Sequence, residues 1–485
     1  MVVAVPHPTI ARDHCLAPSR GVDAPQQGAS GKYGRLFPSV APFTADEEVL
    51  LRLGQRGGPC DGGQDVDAGG DARVDAGWPL FGQFIAHDIT ADRSLLLQHA
   101  DADHIANFRT PRANLECLYG DGPTGNPFLY DRDDPAKLLI GSNDQGAPGD
   151  LPRNAQGIAL IGDPRNDVHL FVSQLHLAML KVHNLLVDRL RVDGEPEAEL
   201  FEAARRATTW HYQWIIVNDF LPTVVGRELL AELLAEGPRY YKPEGPPWIP
   251  LEFADAAYRY GHSQIRRSYR LQADGPELPL FPDLLGFQPV PASRRVDWSL
   301  LFAFPNRPAP QPSKKIDGRL ARCLIQLPSA ITGQVEVDAY RSLAVRDLQR
   351  GQAYGLPSGE ALSRALGIQP LGAGDIGLRA LGWAGETPLW YYLLKEAEVR
   401  GGGDRLGPLG GRVVAEVLLG IIDHDPESYR AVQPSWRPTL PAQRPGPFDM
   451  ADLLTAAESA DASASVTGDM AVGGANPRPL TRQAP

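Results

Sequence analysis

The chain has 485 residues, 43% hydrophobic and 22% charged, an ordinary globular balance with enough length for a sizeable core. Its formal net charge is −12 and no dense basic stripe interrupts it, which argues against nucleic acid as a partner. The four cysteines, Cys15, Cys60, Cys117 and Cys323, form no C-x-x-C pair and are too sparse for a disulfide framework, so buried free thiols are expected rather than a zinc or dithiol site.

Residues 1–30 are rich in Pro, Gly and small polar groups and are expected to form an extended arm. They lack the basic and apolar regions of a signal peptide, and no run approaches the roughly 18 apolar residues of a membrane span. A cytoplasmic chain, or one exported by an unconventional route, is expected. Residues 57–77, acidic and Gly-rich, predict a loop. Residues 78–90, WPLFGQFIAHDIT, would place Gln83 and His87 one turn apart if helical.

Apolar residues at 168, 171, 172, 175, 178, 179, 182, 185, 186 and 190 predict a helix over 168–190 with one buried face. A second helix is expected over 199–220, ended by Pro222. A third is expected over 387–399, capped by Thr387 with Pro388 in its first turn, and a fourth over 411–422. Residues 456–485 carry few large apolar groups and are expected to be disordered. Alternating strand patterns are scarce, and 50 glycines and 45 prolines punctuate the chain. The fold class predicted is mainly α, with long irregular loops, few short strands and one large domain over 31–455.

A glutamine and a histidine aimed together into an apolar setting need partners. The segment FGQFIAHDIT resembles the distal-histidine segment of the animal-type haem peroxidases, a superfamily that includes cyclooxygenases and many bacterial proteins. Three more segments match in the expected order. Residues 162–186, GDPRNDVHLFVSQLHLAMLKVHNLL, resemble a G-D-x-R segment followed by a long helix with an H-N pair. Residues 257–262, AYRYGH, resemble the proximal F-R-Y-G-H motif, and residues 345–357, VRDLQRGQAYGLP, the N-x-Q-R…G-L-P segment.

The resemblance implies a haem with one protein ligand on iron and an open position for peroxide. His262 is the implied axial ligand, with Asp347 holding its other ring nitrogen. The mammalian pattern has asparagine there, and a carboxylate is the stronger acceptor. His87 would be the general base for peroxide, Arg165 would stabilise charge on the departing oxygen, and Gln83 would hold a water or donor. Arg259 and Arg350 match arginines that pair with a haem propionate. His183, of the H-N pair, is expected to be structural; His169, one turn from Arg165, either points toward the haem edge or, the favoured reading, is exposed.

Mammalian members esterify haem through two acidic residues and form a sulfonium link through a methionine. Those positions hold Ala86, Val168 and His169 here, which implies non-covalent haem b. Residues 110–120, TPRANLECLYG, resemble the superfamily's calcium loop. The implied ligands are Asp88, Thr110, the Arg112 carbonyl, Asn114 and Glu116, all oxygen donors. Asn114 replaces a usual aspartate and Glu116 a usual serine.

The implied activity is peroxidase: hydrogen peroxide is reduced while a small-molecule reductant, a phenol, another aromatic donor or an easily oxidised halide, is oxidised. The alternatives are a fatty-acid dioxygenase of the same superfamily and a non-catalytic haem-binding module. The radical-forming tyrosine of the dioxygenases falls at Arg259, between Tyr258 and Tyr260, which favours peroxidase.

Overall fold

Helix α1 (Gly77–Ile89) is apolar nearly all round, and a helix of that kind belongs inside a protein. The computed structural model describes residues 33–63, 70–91, 107–383 and 385–469, with side chains to residue 460. Within it α1 runs through the core. Trp78 meets Phe302 edge-on at 5.2 Å, Phe81 meets Phe220 at 5.8 Å, and Phe84 meets Tyr212 at 6.0 Å. A Cβ on Gly77 would lie 2.3 Å from the Phe302 ring, so only glycine lets the helix begin this close to that ring.

The long helix α2 (Leu170–Val192) packs beside α1 and carries α3 (Leu200–Ile215) against its flank. Its first two turns are buried on every side. It is the one described helix long and apolar enough to cross a membrane, and 89% of its most apolar window is buried inside the fold. The predicted stop at Pro222 is not observed. The chain continues through a π-helical stretch (Ile216–Phe220) into a further helical turn (Leu221–Val225) that ends at Gly226. Pro222 sits at the start of that turn, where its missing N–H and fixed φ are tolerated.

Helix α4 (Leu343–Ala353), helix α5 (Leu389–Gly401) and helix α6 (Pro408–Asp423) close the opposite side. Thr387 does not cap α5 as predicted. Its hydroxyl donates to Glu360 Oε1 at 2.7 Å, and Pro388 takes the cap position. Helix α7 (Met450–Asp469) packs on α2 and runs well into the segment predicted to be disordered. Its first turns bury Met450, Leu453, Leu454, Ala456 and Ala457, and the alanine-rich sequence that follows favours continuing the helix. Residues 470–485 and the arm at 1–30 lie outside the described residues.

Strands are short and occur as two-stranded pairs among the described residues. One corrects the predicted loop at 57–77: Asp71–Asp75 is a strand, antiparallel to Pro312–Lys314, and it leads directly into α1. Cys60, Cys117 and Cys323 are free thiols, the first two buried.

Candidate active site

Three stretches far apart in sequence line one cavity of about 110 Å³. Helix α1 supplies Pro79, Gly82, Gln83, Ala86 and His87; a turn before α2 supplies Arg165; and residues 253–265 supply Phe253, Tyr258, Arg259, Tyr260, Gly261 and His262.

On the α1 side, His87 is buried and its Nδ1 lies 2.7 Å from Asn166 Oδ1. Asn166 belongs to a short 3-10 turn (Pro164–Asp167) started by Asp163, whose carboxylate accepts from the Arg165 amide at 2.9 Å. Arg165 is clamped. Its Nε and Nη2 donate to Asp163 at 2.9 and 2.7 Å, and Nη2 also donates to the carbonyls of His87 at 2.9 Å and Thr90 at 2.7 Å. The guanidinium therefore ties the end of α1 to the turn. Burial alone would raise the Asp163 carboxyl, but Arg165 and Arg109 together hold it well below the usual carboxylate range. The turn is braced from behind by Arg153, paired with Asp167 at 2.7 and 2.8 Å, and by Gly286, where any Cβ would collide with the Asp167 carbonyl.

His169 is buried, not exposed as predicted. It caps α2, its Nδ1 accepting from the Val172 amide at 3.3 Å. That leaves Nε2 as the protonated nitrogen, and it donates to Gln83 Oε1 at 2.8 Å. The Gln83 amide nitrogen is buried with no hydrogen-bond partner. A buried donor of this kind costs about 1–3 kcal/mol unless something meets it, and Gln83 lines the cavity.

On the other side, His262 lies in a helical turn (Gly261–Gln264) that follows the 3-10 turn Ala257–Tyr260. Its Nδ1 lies 2.7 Å from Asp347 Oδ2 on α4. Asp347 is fully buried, and its second oxygen accepts from Arg259 Nη1 at 3.0 Å. Arg259 also donates to Asp255 at 3.1 Å and to the Ala254 carbonyl at 2.9 Å. Arg350 is not among the residues lining the cavity. It is buried, 3.6 Å from Asp255 and bonded to the Tyr354 hydroxyl at 3.1 Å. Both arginines thus have carboxylate partners within the protein, and Arg350 reaches the site through Asp255.

His183 stands apart from the cavity. Its Nδ1 meets the Tyr119 hydroxyl at 3.0 Å and its Nε2 the Ala136 carbonyl at 2.8 Å, and burial pushes its pKa down to about 4. That is the arrangement of a structural histidine.

The predicted cation loop follows α1. Asp88 is buried and accepts from the amides of Leu115 at 3.0 Å and Cys117 at 3.3 Å. Burial, augmented by the Glu116 charge, still pushes its pKa up to about 6. Thr110 Oγ1 donates to Glu116 Oε2 at 2.6 Å, and the Asn114 amide nitrogen lies 3.3 Å from that hydroxyl. The Arg112 amide donates to the Thr110 carbonyl at 2.9 Å. Ala113 and Leu115 adopt positive φ, 49° and 60°, which turns the loop sharply. Arg109 lies 3.2 Å from Glu116 and so already balances one of the two carboxylates. No group of three or more His, Cys, Asp or Glu suited to a metal occurs among the described residues.

The residues present fit a haem by their chemistry: a largely apolar lining, a histidine contributed by each of two separate segments, and a buried amide donor in the lining with no partner in the protein. Asn166 and His176 were not identified from the sequence as parts of the site, and for His169 exposure was favoured over a place at the haem edge. For His169 a signal existed, a histidine directly before a long apolar helix in the N-cap position.

Comparison with known proteins agrees. The family model described as animal haem peroxidase matches residues 129–373, just over half of the chain. A chorion peroxidase of Aedes aegypti is 24% identical over 307 residues, covering 60% of this chain and 37% of that protein. A peroxidasin homologue of Caenorhabditis elegans is 30% identical over 212 residues, covering 41% and 15%. The chain thus spans well under half the length of these relatives. Among solved structures, peroxidase A from Dictyostelium discoideum superposes with a TM-score of 0.66 over 93% of this chain and 97% of that one, at 16% identity. The Oryza sativa fatty acid α-dioxygenase bound to palmitic acid superposes at 0.57 over 88% and 78%, at 15% identity. The chain belongs to the animal haem peroxidase family.

Proposed function

We propose that the chain is a peroxidase that binds haem b without covalent links and uses hydrogen peroxide to oxidise a small organic donor or an easily oxidised halide. The observation that carries this reading is the single cavity flanked by His87, Gln83 and Arg165 from one side and by His262 from the other. When bound, haem supplies the iron at which the peroxide O–O bond is cleaved and from which oxidising equivalents pass to a donor.

His262 would hold the iron, its ring fixed by Asp347. With Nδ1 committed to Asn166, His87 serves the cavity through Nε2. There it takes the peroxide proton and returns it to the departing oxygen. Arg165 contributes a fixed positive charge beside that oxygen, tempered by its pairing with Asp163. Gln83 Nε2 donates to a water or to peroxide oxygen. Ala86 and Val168 have no group that could form an ester, which supports a haem extractable into acidified ketone. Asp88, Thr110, the Arg112 carbonyl, Asn114 and Glu116 would hold a calcium ion, steadying the end of α1 beside His87.

The test is the visible spectrum of the haem-reconstituted protein before and after one equivalent of peroxide. A rapid spectral change that a phenol reverses is expected. A spectrum indifferent to peroxide would sink the reading. One observation favours a second reading, fatty-acid oxygenation: the Tyr258 hydroxyl is buried, lines the cavity and has no hydrogen-bond partner. Oxygen uptake with linoleate, lost in Tyr258→Phe, would establish it.

A further inference from the structure

His87 is one end of a buried chain of three side chains. Its Nδ1 lies 2.7 Å from Asn166 Oδ1, and Asn166 Nδ2 lies 3.0 Å from His176 Nδ1, on the second turn of α2. Asn166 and His176 are both fully buried. The His176 ring stands edge-on to Phe84, on the same helix as His87, at 6.2 Å.

An amide has a direction. Its nitrogen can only donate, so His176 Nδ1 must accept; its oxygen can only accept, so the His87 proton must sit on Nδ1. The lone pair of His87 is then on Nε2, where a base for a cavity ligand needs it. His176 receives the amide N–H at its Nδ1 in this arrangement. Burial lowers its pKa to about 3, so at neutral pH it stays uncharged and able to accept. An amide turned over would offer its N–H to His87 Nδ1 and force the proton onto Nε2, leaving no base in the cavity.

We propose that Asn166 and His176 are positioning residues that hold His87 in its Nδ1–H tautomer, with Nε2 ready to accept a proton. The inference rests on the peroxidase reading for the identity of the proton donor. It concerns which nitrogen carries the hydrogen rather than how strongly the histidine titrates. Asn166 acts as a neutral acceptor: it orients the ring without adding a charge to the distal side.

The experiment compares ligands that must lose a proton on binding with one that need not. Haem-reconstituted wild type, Asn166→Leu, Asn166→Asp and His176→Leu are mixed with peroxide, with hydrogen cyanide and, after reduction, with carbon monoxide. In Asn166→Leu the peroxide and cyanide on-rates should fall on the order of 100-fold, the usual worth of a positioned base, with carbon monoxide unchanged. His176→Leu should fall in the same direction by less. Asn166→Asp, whose oxygens can only accept, should restore both rates to within about tenfold of wild type, since it enforces the same tautomer. Equal slowing of all three ligands, unchanged rates in Asn166→Leu, or no rescue by Asn166→Asp would overturn the proposal. If the wild type ignores peroxide, the peroxidase reading falls, and the cyanide and carbon monoxide rates still decide this one.

Discussion

The two histidines that flank the cavity are held by networks of opposite electrical character. Behind His87 stand an amide and a neutral imidazole, Asn166 and His176. Behind His262 stands a buried cluster of full charges: Asp347 shared with Arg259, and Asp255 shared between Arg259 and Arg350. A residue that must take and return a proton gains from a partner that orients it without fixing its charge. A permanent ligand gains from a partner that fixes its ring and tautomer. In the proximal cluster two carboxylates face two guanidiniums, so Asp347 does not act on His262 with its whole charge.

The largest expected effect comes from removing the distal base. His87→Ala should slow the reaction with peroxide by roughly 10²–10⁴-fold while leaving haem affinity and the spectrum of the resting protein close to wild type. His262→Ala should do the reverse, losing haem on gel filtration. Equal loss of haem in both would erase the division between the two sides.

The proximal side makes a prediction of sign. Asp347→Asn removes the carboxylate beside the ligand and should raise the ferric/ferrous potential measured by spectroelectrochemistry. Arg259→Gln removes the cation that shares that carboxylate and should lower it. Shifts in the same direction would show that Arg259 does not temper Asp347. Arg259→Gln should also lower stability by about 3 kcal/mol, because it leaves the buried Asp347 without its guanidinium partner; urea denaturation measures that separately.

These contrasts mark how far the sequence could be read. The four motif segments carried the family, and the structure brings their His87, Arg165 and His262 to one cavity with Asp347 bonded to His262; each motif is local and its residue types are those the proposed chemistry demands. Helix α2 was legible from its apolar spacing. The orienting groups were not. Asn166 reads as an ordinary turn residue, and His176 as one more residue on a helix buried all round. Only the packing of α2 and the turn before it against α1 brings Asn166 to His87 and His176 to Asn166. Arg259 and Arg350 were expected to face haem propionates; Arg259 pairs with Asp255 and Asp347, and Arg350 with Asp255, pairings that motif spacing does not reveal. Thr387 was misread as a cap because its competing partner, Glu360, is 27 residues away.

A neutral distal network has a cost in acid. His176 has its pKa lowered from 6.5 to about 3 by burial. A group depressed in the fold contributes stability that is present above pH 6.5 and lost as pH falls toward 3, since the unfolded chain takes up the proton first. The slope is about 1.4 kcal/mol per pH unit for one proton. Between pH 6 and 4, His176→Gln should flatten the fall of unfolding free energy by about that slope. An unchanged slope would mean that His176 is protonated in the fold, which the distal network could not accommodate.

The smallest effect is expected at the proposed calcium loop, because the protein has already supplied part of what a cation would. Glu116 has Arg109 at 3.2 Å, and Asp88 has two backbone amides. Only the charge of Asp88 is left largely uncompensated, and that sets the worth of a bound ion. At a calcium concentration equal to its Kd the gain is about 0.4 kcal/mol, rising to about 2.7 kcal/mol at one hundred times Kd. Chelation should therefore lower the melting temperature by an amount that depends on the calcium supplied, and Asp88→Asn should abolish that dependence. Because Asp88 adjoins His87, the same chelation should slow the peroxide reaction but leave the potential set by Asp347 and Arg259 unmoved. A shift in potential on chelation would mean that the two sides of the cavity are coupled through α1, and the division between a neutral and a charged face would no longer be one of function.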